Sequence, residues 1–483
     1  MSSSLLATDG YKFSMAEAGW PLRDECFYYT HRRGGIGVVP VDLEAFVRDL
    51  LPEPGPDDYR YLADHDYEMG AGFKTAMVLR DRVRVRAIPR GSAFVEREPV
   101  FTVAGPSALV SWLEPLALQL NYRIQVATLA TTDPEALAVA VARVTCEEQR
   151  RIVLETLDTV GVAAPPIAAE PELYHGRVLA RVKELVRLVE NPNRVFEVGM
   201  RAASCLAQHR IALEACKEAG VVRTSNVVLA RELSMVPVGT MGHEHVQRYG
   251  TDEAAFRAMR DRRPNRSSFL LDTFDTFLSG LPAALELMQE SPGRGDSIRY
   301  DSGDKVTQYL FACARARALQ LEPIHILEDG FDAVLTGRFE ELRRQVGVDP
   351  AHQFYGYGGT IVAEPSGSTL TRDRVSAVWK LTRTGRTPTM KFANEADGAK
   401  ESVPGEPVVF RRVTGNGPIG IVGQEGEEPP AGYVRLTGAS QAATGVAALN
   451  TLPGAQLRAI PSPATGALIE TLRRRHFGRR HDP

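Results

Sequence analysis

Four short apolar runs in the middle of the chain end in polar or glycine residues at a nearly constant interval. SSFLLDT reaches Asp272, DSIRYDSGD turns polar at Asp301, PIHILEDG at Asp329 and Gly330, and HQFYGYGGT closes in glycines at 356–359. The steps are 29, 28 and 27 residues. A strand, a helix and two turns need about that length. The gaps carry helical patterns, such as DKVTQYLFACARARALQ at 304–320. Repeated right-handed β–α units make a parallel sheet, closed as a barrel or doubly wound, so the fold class is α/β. In barrels the carboxyl edge of the strands carries the chemistry. An aspartate is costly inside a packed strand, so one just past an apolar run belongs on a loop facing solvent or ligand. The competing reading is that these aspartates cap the helices that follow.

Composition sets the bounds. The 483 residues are 43% hydrophobic and 24% charged, a globular balance that excludes wholesale disorder. The length suggests two or three domains. A formal net charge of −3 gives no global basic field for nucleic acid. The five cysteines, Cys26, Cys146, Cys205, Cys216 and Cys313, contain no CxxC pair, which speaks against a structural zinc site. The N-terminus lacks a signal-peptide pattern and no 18-residue apolar run occurs, so a soluble, cytoplasmic protein with no membrane partner is expected.

Along the chain, 82–104 reads as strands, and 107–120 as a buried helix that Pro115 kinks or restarts. The stretches 133–160 and 172–190 read as helices around a loop at 161–171. The basic end LRRRHFGRRHDP reads as a solvated, frayed tail.

Several constellations suit a phosphorylated substrate. GYGGT lets backbone N–H groups close around a phosphate, although a tight turn explains it equally well alone. Arg372, Lys380 and Lys391 follow it and would complement a polyanion. DTFDT and DSGD put carboxylates on strand-end loops, where they suit Mg²⁺ or ribose hydroxyls. GTMGHEH follows the apolar run SMVPV and exposes His243, a candidate to accept a phosphoryl group. No third ligand accompanies the two histidines of HEH, so a transition-metal site is not expected.

TDGYKFSM (8–15), GTMGHEHVQRYGTDEAAFRAM, LLDTFDT, IRYDSGD, YGYGGT, VWKLTRTGRTPTMKF and PGEPVVFRR come in an order and spacing that resemble nicotinate phosphoribosyltransferase. The nicotinamide-using relative shares much of this layout. The resemblance spans most of 5–412, is weak in 130–190 and absent from the last 70 or so residues. It implies an irregular α/β barrel of the type II phosphoribosyltransferases, with a second, β-rich domain built from both termini. On that basis 1–105 forms the N-terminal part of the β-rich domain, 106–195 a helical layer or insertion, 196–364 the barrel, and 365–483 the C-terminal part. The implied reaction joins nicotinate to phosphoribosyl pyrophosphate, with Mg²⁺, ATP and a phosphohistidine. The implied assembly is a homodimer with shared sites.

By motif position, His243 resembles the phosphorylated histidine, with His245 as second choice. Tyr11 resembles the tyrosine that stacks on the pyridine ring from the partner subunit, and Arg32 the arginine that reaches the diphosphate across the dimer. Arg201 and Arg299 resemble arginines beside base and ribose, and Asp272 and Asp301 carboxylates near ribose and Mg²⁺. Asp329, Gly330, Gly358 and Gly359 resemble the 5-phosphate cradle, and Arg372, Lys380 and Lys391 basic positions near phosphates. Ser225 stands where the nicotinamide-using relative has an aspartate, which favours an anionic base. Val198 stands where the family has phenylalanine, so one aromatic wall is missing, and Phe196 is the candidate replacement. The alternatives are another pyridine-base transferase and a non-catalytic nucleotide-binding relative.

Overall fold

The computed structural model describes residues 3–264, 267–392, 401–439, 449, 454 and 457–477. Seven parallel strands form the central sheet: β1 (Val195–Glu197), β2 (Arg223–Thr224), β3 (Val236–Pro237), β4 (Ser268–Leu270), β5 (Ser297–Tyr300), β6 (Ile324–Leu327) and β7 (Gln353–Tyr357). Their order across the sheet is β3-β2-β1-β7-β6-β5-β4. β3 and β4 do not pair among the described residues, yet side chains from both line one cavity. The sheet is therefore a curled, open half-barrel, where a barrel was expected. Helices Lys305–Ala318 and Ala333–Val346 fill the gaps after β5 and β6, as the spacing predicts. Most strand residues are buried, and Phe269, Ile298, Leu327 and Tyr355 are 0% exposed. Each such side chain contributes about 1.5–3 kcal/mol by leaving water.

Both ends of the chain share a second sheet. Asp24–His31 lies between Ala377–Thr384 and Phe101–Pro106, antiparallel to each. Residues 1–105 also hold four α-helices, including Gly10–Glu17, so this region is not purely β. The helix expected over 107–120 breaks at Leu113: Ser107–Trp112 ends there, and Glu114–Thr132 restarts with Pro115 in its first turn. That is the position a ring without an N–H tolerates. Helices Glu147–Val160 and Pro171–Val189 account for the later helical stretches, around a loop that holds a two-residue strand, Ala168–Ala169. All five cysteines are buried free thiols. No helix among the described residues is long and apolar enough to cross a membrane.

The expected frayed tail is corrected over 472–477. Helix Pro463–Phe477 continues through it, with Leu472 buried and Phe477 edge-on to Phe392 at 5.0 Å. Residues 478–483 lie outside the described residues.

A four-stranded sheet containing Pro407–Arg412 is tied to the N-terminal region by one buried ion pair. Arg411 Nη2 donates to Glu98 Oε2 at 2.5 Å, and both side chains are 0% exposed. Glu98 also accepts from Val95 N at 2.8 Å. Removing one partner of such a pair leaves an uncompensated buried charge. Glu98→Ala is expected to lower unfolding stability by about 3–5 kcal/mol, read as a shifted urea midpoint. An unchanged midpoint would remove the pair from the account of this sheet.

Candidate active site

Strand register decides what meets at the rim. Leu270, Arg299 and Ile326 are level across β4, β5 and β6, and Tyr300, Leu327 and Tyr355 across β5, β6 and β7. Asp272 and Asp301 therefore leave their strands at one height, with Glu328 and Gly356 beside them. Inward-facing residues alternate. Arg299 and Asp301 on β5, and Ile326 and Glu328 on β6, line the cavity. The inward acid after β6 is thus Glu328, not Asp329. Asp329 turns away with φ +58°, and its carbonyl accepts from Lys305 Nζ at 2.7 Å.

The capping alternative is settled by a repeated D-x-x-D. Asp275, Asp304 and Asp332 cap the following helices, accepting from Phe277 N (2.9 Å), Val306 N (3.1 Å) and Leu335 N (2.7 Å). Each lies three residues after Asp272, Asp301 or Asp329. The second aspartate of each pair holds the helix. The first caps no helix, and in two of the three cases it lies at the site.

A cavity of about 480 Å³ runs up the concave face of the sheet. At its rim His243 sits within a group of charged side chains. Lys391 Nζ lies 2.8 Å from His243 Nε2 and 3.4 Å from Asp272 Oδ2. Asp301 Oδ2 is 3.3 Å from the same imidazole nitrogen. Ser302 Oγ donates to Asp272. Burial, together with the Lys391 ammonium, pulls His243 down to about 4, so the ring is neutral at physiological pH. The Lys391 ammonium can only donate and lies closer to Nε2 than the Asp301 carboxylate, 2.8 against 3.3 Å, which assigns Nε2 as acceptor. Nδ1 then carries the proton and donates to Thr273 Oγ1 at 3.1 Å. Burial works against the charge of Asp272, but Lys391 and His243 outweigh it and hold the carboxyl below its usual range. Asp301 is held well below that range, with burial outweighed by His243, Arg299 and Lys391. Burial, with the charges of Lys391 and Arg32 nearby, pulls Lys380 on the cavity wall down to about 7.

The other part of the cavity is built around Tyr11. A Cβ on Gly239 would meet Tyr11 N at 2.2 Å, and one on Gly10 would meet Val238 O at 2.4 Å. The two glycines let the Tyr11 turn press against the loop after β3. Gly10 N donates to Ser225 O at 2.7 Å, and Tyr11 Oη donates to Glu114 Oε2 at 2.5 Å. The Arg201 guanidinium lies 5.5 Å from the Tyr11 ring centroid. Tyr11 thus reaches the cavity of its own chain, where the resemblance implies a partner subunit's tyrosine. Gly239→Ala should displace this turn, and the KM for an aromatic base is expected to rise about tenfold. An unchanged KM with an unchanged fold would dissociate Tyr11 from base binding.

Ser225 does not leave its wall free of carboxylate. Its Oγ donates to Asp9 Oδ1 at 2.6 Å, and Asp9 Oδ2 is 3.6 Å from Arg201 Nε. Position 225 itself carries a hydroxyl, and Asp9 supplies a carboxylate beside it from another element. Burial raises the Asp9 carboxyl, with Arg201 and Ser225 opposing. Glu114 lies the other way: burial is outweighed by Lys12 and Arg201, and the group falls to about 2. Lys12 bridges Glu114 (2.6 Å) and Glu244 (3.2 Å). Val198 lines the cavity without an aromatic face. Phe196 on β1 also lines the cavity, stacked on Phe354 at 5.4 Å.

Other expected residues stand apart. His245 is 0% exposed, with Nε2 on Ala255 O at 2.9 Å, and lines no part of this cavity. Gly358 and Gly359 end β7 at the rim, and Gly330 turns with φ +73° after β6. None of the three lines the cavity. Arg372 pairs with Asp373 at 2.8 Å, and Arg32 follows its strand with its N–H on Ser376 O. Glu328, Asp9, Glu114 and Lys12 are the site residues not anticipated. For Glu328 the alternation Ile324–Ile326–Glu328 was the available signal. Asp9 and Lys12 flank Tyr11 in TDGYK.

No protein-family model matches the chain. Curated nicotinate phosphoribosyltransferases of Bos taurus and Homo sapiens are each 26% identical to it, over 456 and 457 residues, covering 88% of this chain and 80% of theirs. The chain resembles the nicotinate phosphoribosyltransferases along most of its length. Solved structures of nicotinate phosphoribosyltransferases from Porphyromonas gingivalis and Vibrio cholerae align with TM-scores of 0.57 and 0.56 at 18% and 17% identity. They cover 83% and 82% of this chain, and 96% and 89% of their own. At that identity the likeness is one of fold.

Proposed function

We propose that this chain transfers the phosphoribosyl group of phosphoribosyl pyrophosphate to nicotinate, giving nicotinate mononucleotide and pyrophosphate, as a step of NAD salvage. One observation carries the reading: a single cavity joins an aromatic and guanidinium end, Tyr11 and Arg201, to a rim bearing His243, Asp301 and Lys380. The 26% identity to curated relatives over 88% of the chain supports the same assignment.

In this reading the pyridine nitrogen attacks the anomeric carbon as the bond to pyrophosphate breaks, through an oxocarbenium-like state. Tyr11 and Arg201 hold the ring in line. Lys391 and Lys380 stabilise the charge that grows on the departing pyrophosphate. Asp272 and Asp301 fit a divalent cation. Asp272 Oδ1 is buried and has no hydrogen-bond partner among the described residues, and carboxylate oxygens are donors that Mg²⁺ accepts. Mg²⁺ bound there supplies further neutralisation of the pyrophosphate. ATP is the co-substrate. The neutral His243 Nε2 takes its terminal phosphoryl group as ADP leaves, the phosphohistidine changes charge beside Asp272 and Asp301, and water then releases orthophosphate and restores the imidazole. A homodimer is proposed on the resemblance alone, with Tyr11 serving its own chain.

One observation favours nicotinamide as a second base. Asp9 gives the pocket a carboxylate able to accept from an amide N–H.

Product analysis with each base and phosphoribosyl pyrophosphate, with and without ATP, tests the proposal. Nicotinate mononucleotide and pyrophosphate in equal amounts, formed faster with ATP, are expected. Exclusive turnover of nicotinamide, or no product from either base, would overturn it. Labelled ATP should leave an acid-labile phosphate that His243→Ala lacks. A label that survives in that variant removes His243 from the ATP step.

A further inference from the structure

A second cavity, of about 410 Å³, lies at the other end of the helix that carries His243. Its walls come from the end of that helix (247–250), the turn at 384–389, and the last helix through Leu472, Arg475 and His476. Four arginines line it: Arg23, Arg248, Arg386 and Arg475. Among the described residues no aspartate or glutamate does. The charge of Arg248 is matched by Glu25 at 2.9 Å and Glu244 at 3.5 Å. Arg23 lies over the Trp20 ring at 3.7 Å, and its one side-chain hydrogen bond among the described residues is to a hydroxyl, Thr384 Oγ1, at 3.4 Å. Arg386 and Arg475 are exposed, and no carboxylate among the described residues pairs with either.

Gln247 supplies an independent observation. It is 3% exposed, lines both this cavity and the first, and its Nε2 has no acceptor among the described residues. Buried donors are seldom left unmet, because each has given up its bond to water. Gln247 borders both cavities, and an anionic oxygen bound in the second would supply the acceptor this amide lacks.

We propose that this cavity is a second binding site, for a ligand carrying two or more phosphate groups. Three unmatched guanidinium charges outnumber what one phosphate neutralises, and guanidinium forks match phosphate oxygens in pairs. The volume is that of a small-molecule site. Gln247 lies one turn from His243 on the same helix. A ligand held by Gln247 therefore restrains the element that positions the imidazole.

The test is equilibrium binding of labelled pyrophosphate to the full chain. Wild type is compared with Arg386→Glu/Arg475→Glu and with Arg344→Glu, an exposed position in neither cavity. The double variant is expected to lose one class of site, by at least tenfold in affinity, while the other class and the thermal midpoint stay unchanged. Arg344→Glu should bind as wild type. ATP should displace the label from the affected site, and orthophosphate at the same concentration should not. Equal site numbers and affinities in all three proteins would overturn the proposal. So would a loss at every site together, which would indicate a general field effect. Displacement by orthophosphate as effective as by ATP would overturn the requirement for two phosphates.

Discussion

Lys391→Met is expected to lower kcat about 10²–10³-fold, the usual effect of removing one pre-positioned charge from a site that stabilises a departing anion. It should also raise the pKa of His243. In the intact site the ammonium is 2.8 Å from Nε2 and assists burial in holding the imidazole at about 4. Asp272 and Asp301 act in the opposite sense, from 3.8 and 3.3 Å. Without Lys391 the two carboxylates face the ring alone and favour its protonated form. A protonated Nε2 has no lone pair to offer ATP. Phosphate labelling of the wild type should therefore be flat from pH 8 to about pH 5, since the ring stays neutral above its depressed pKa. In the variant, labelling should fall as the pH drops and recover as it rises. Methionine nearly preserves the volume, so packing loss is small, but Asp272 loses its counter-charge and a melt under the assay conditions is needed alongside. A variant that labels with the wild-type pH profile would show that Lys391 does not set the state of His243.

The parallel sheet was legible where strands were long enough to carry a period. β4 to β7 hold three to five residues each, and their regular spacing exposed the rim. β3 was legible as the apolar run SMVPV, whereas β2 holds two residues, too few for alternation to register, so the open edge of the sheet was read only in part. The acids divide in the same way. D-x-x-D after three strands was visible, but which aspartate caps and which faces inward follows from the pleat, and that requires the strand's exact end. Counting in twos from Ile324 reaches Glu328, whereas counting from the glycine turn reaches Asp329. The charge network beneath the site was out of reach. Lys12 and Glu244 are 232 positions apart, and Tyr11 and Glu114 are 103 apart. No local pattern encodes such contacts. They follow from the close approach of Gly10 to Gly239, which looks like any two glycines in the chain. Ser225 is a related case: it lines the cavity, but its neighbour Asp9 comes from the far end of the sequence.

Arg201→Ala is expected to separate the two candidate bases. Arg201 stands 3.6 Å from Asp9 and 3.8 Å from Glu114, and lies over the Tyr11 ring. Truncating it leaves Asp9, Glu114 and Glu244 around the base end, with Lys12 paired to the last two. Nicotinate enters as an anion and meets uncompensated carboxylates, a change of about 2–5 kcal/mol for a desolvated pair. Its kcat/KM should fall about 10²–10³-fold, whereas that of neutral nicotinamide should fall no more than about tenfold, through lost packing on Tyr11. Asp9 acts in the reverse direction. Burial raises its carboxyl, so it takes up a proton more readily than a free aspartate as the pH falls. Each protonation frees Arg201 from one competitor, and the KM for nicotinate should decrease toward lower pH. Asp9→Asn keeps the shape and removes the titration, so its KM should be lower than that of wild type at neutral pH and independent of pH there. Equal losses on both bases in Arg201→Ala would mean that the guanidinium orders Tyr11 or the diphosphate and does not read the ring's charge. A pH-dependent KM that persists in Asp9→Asn would place the titrating group at Lys380, whose ammonium is pulled down to about 7, through burial and the charges of Lys391 and Arg32.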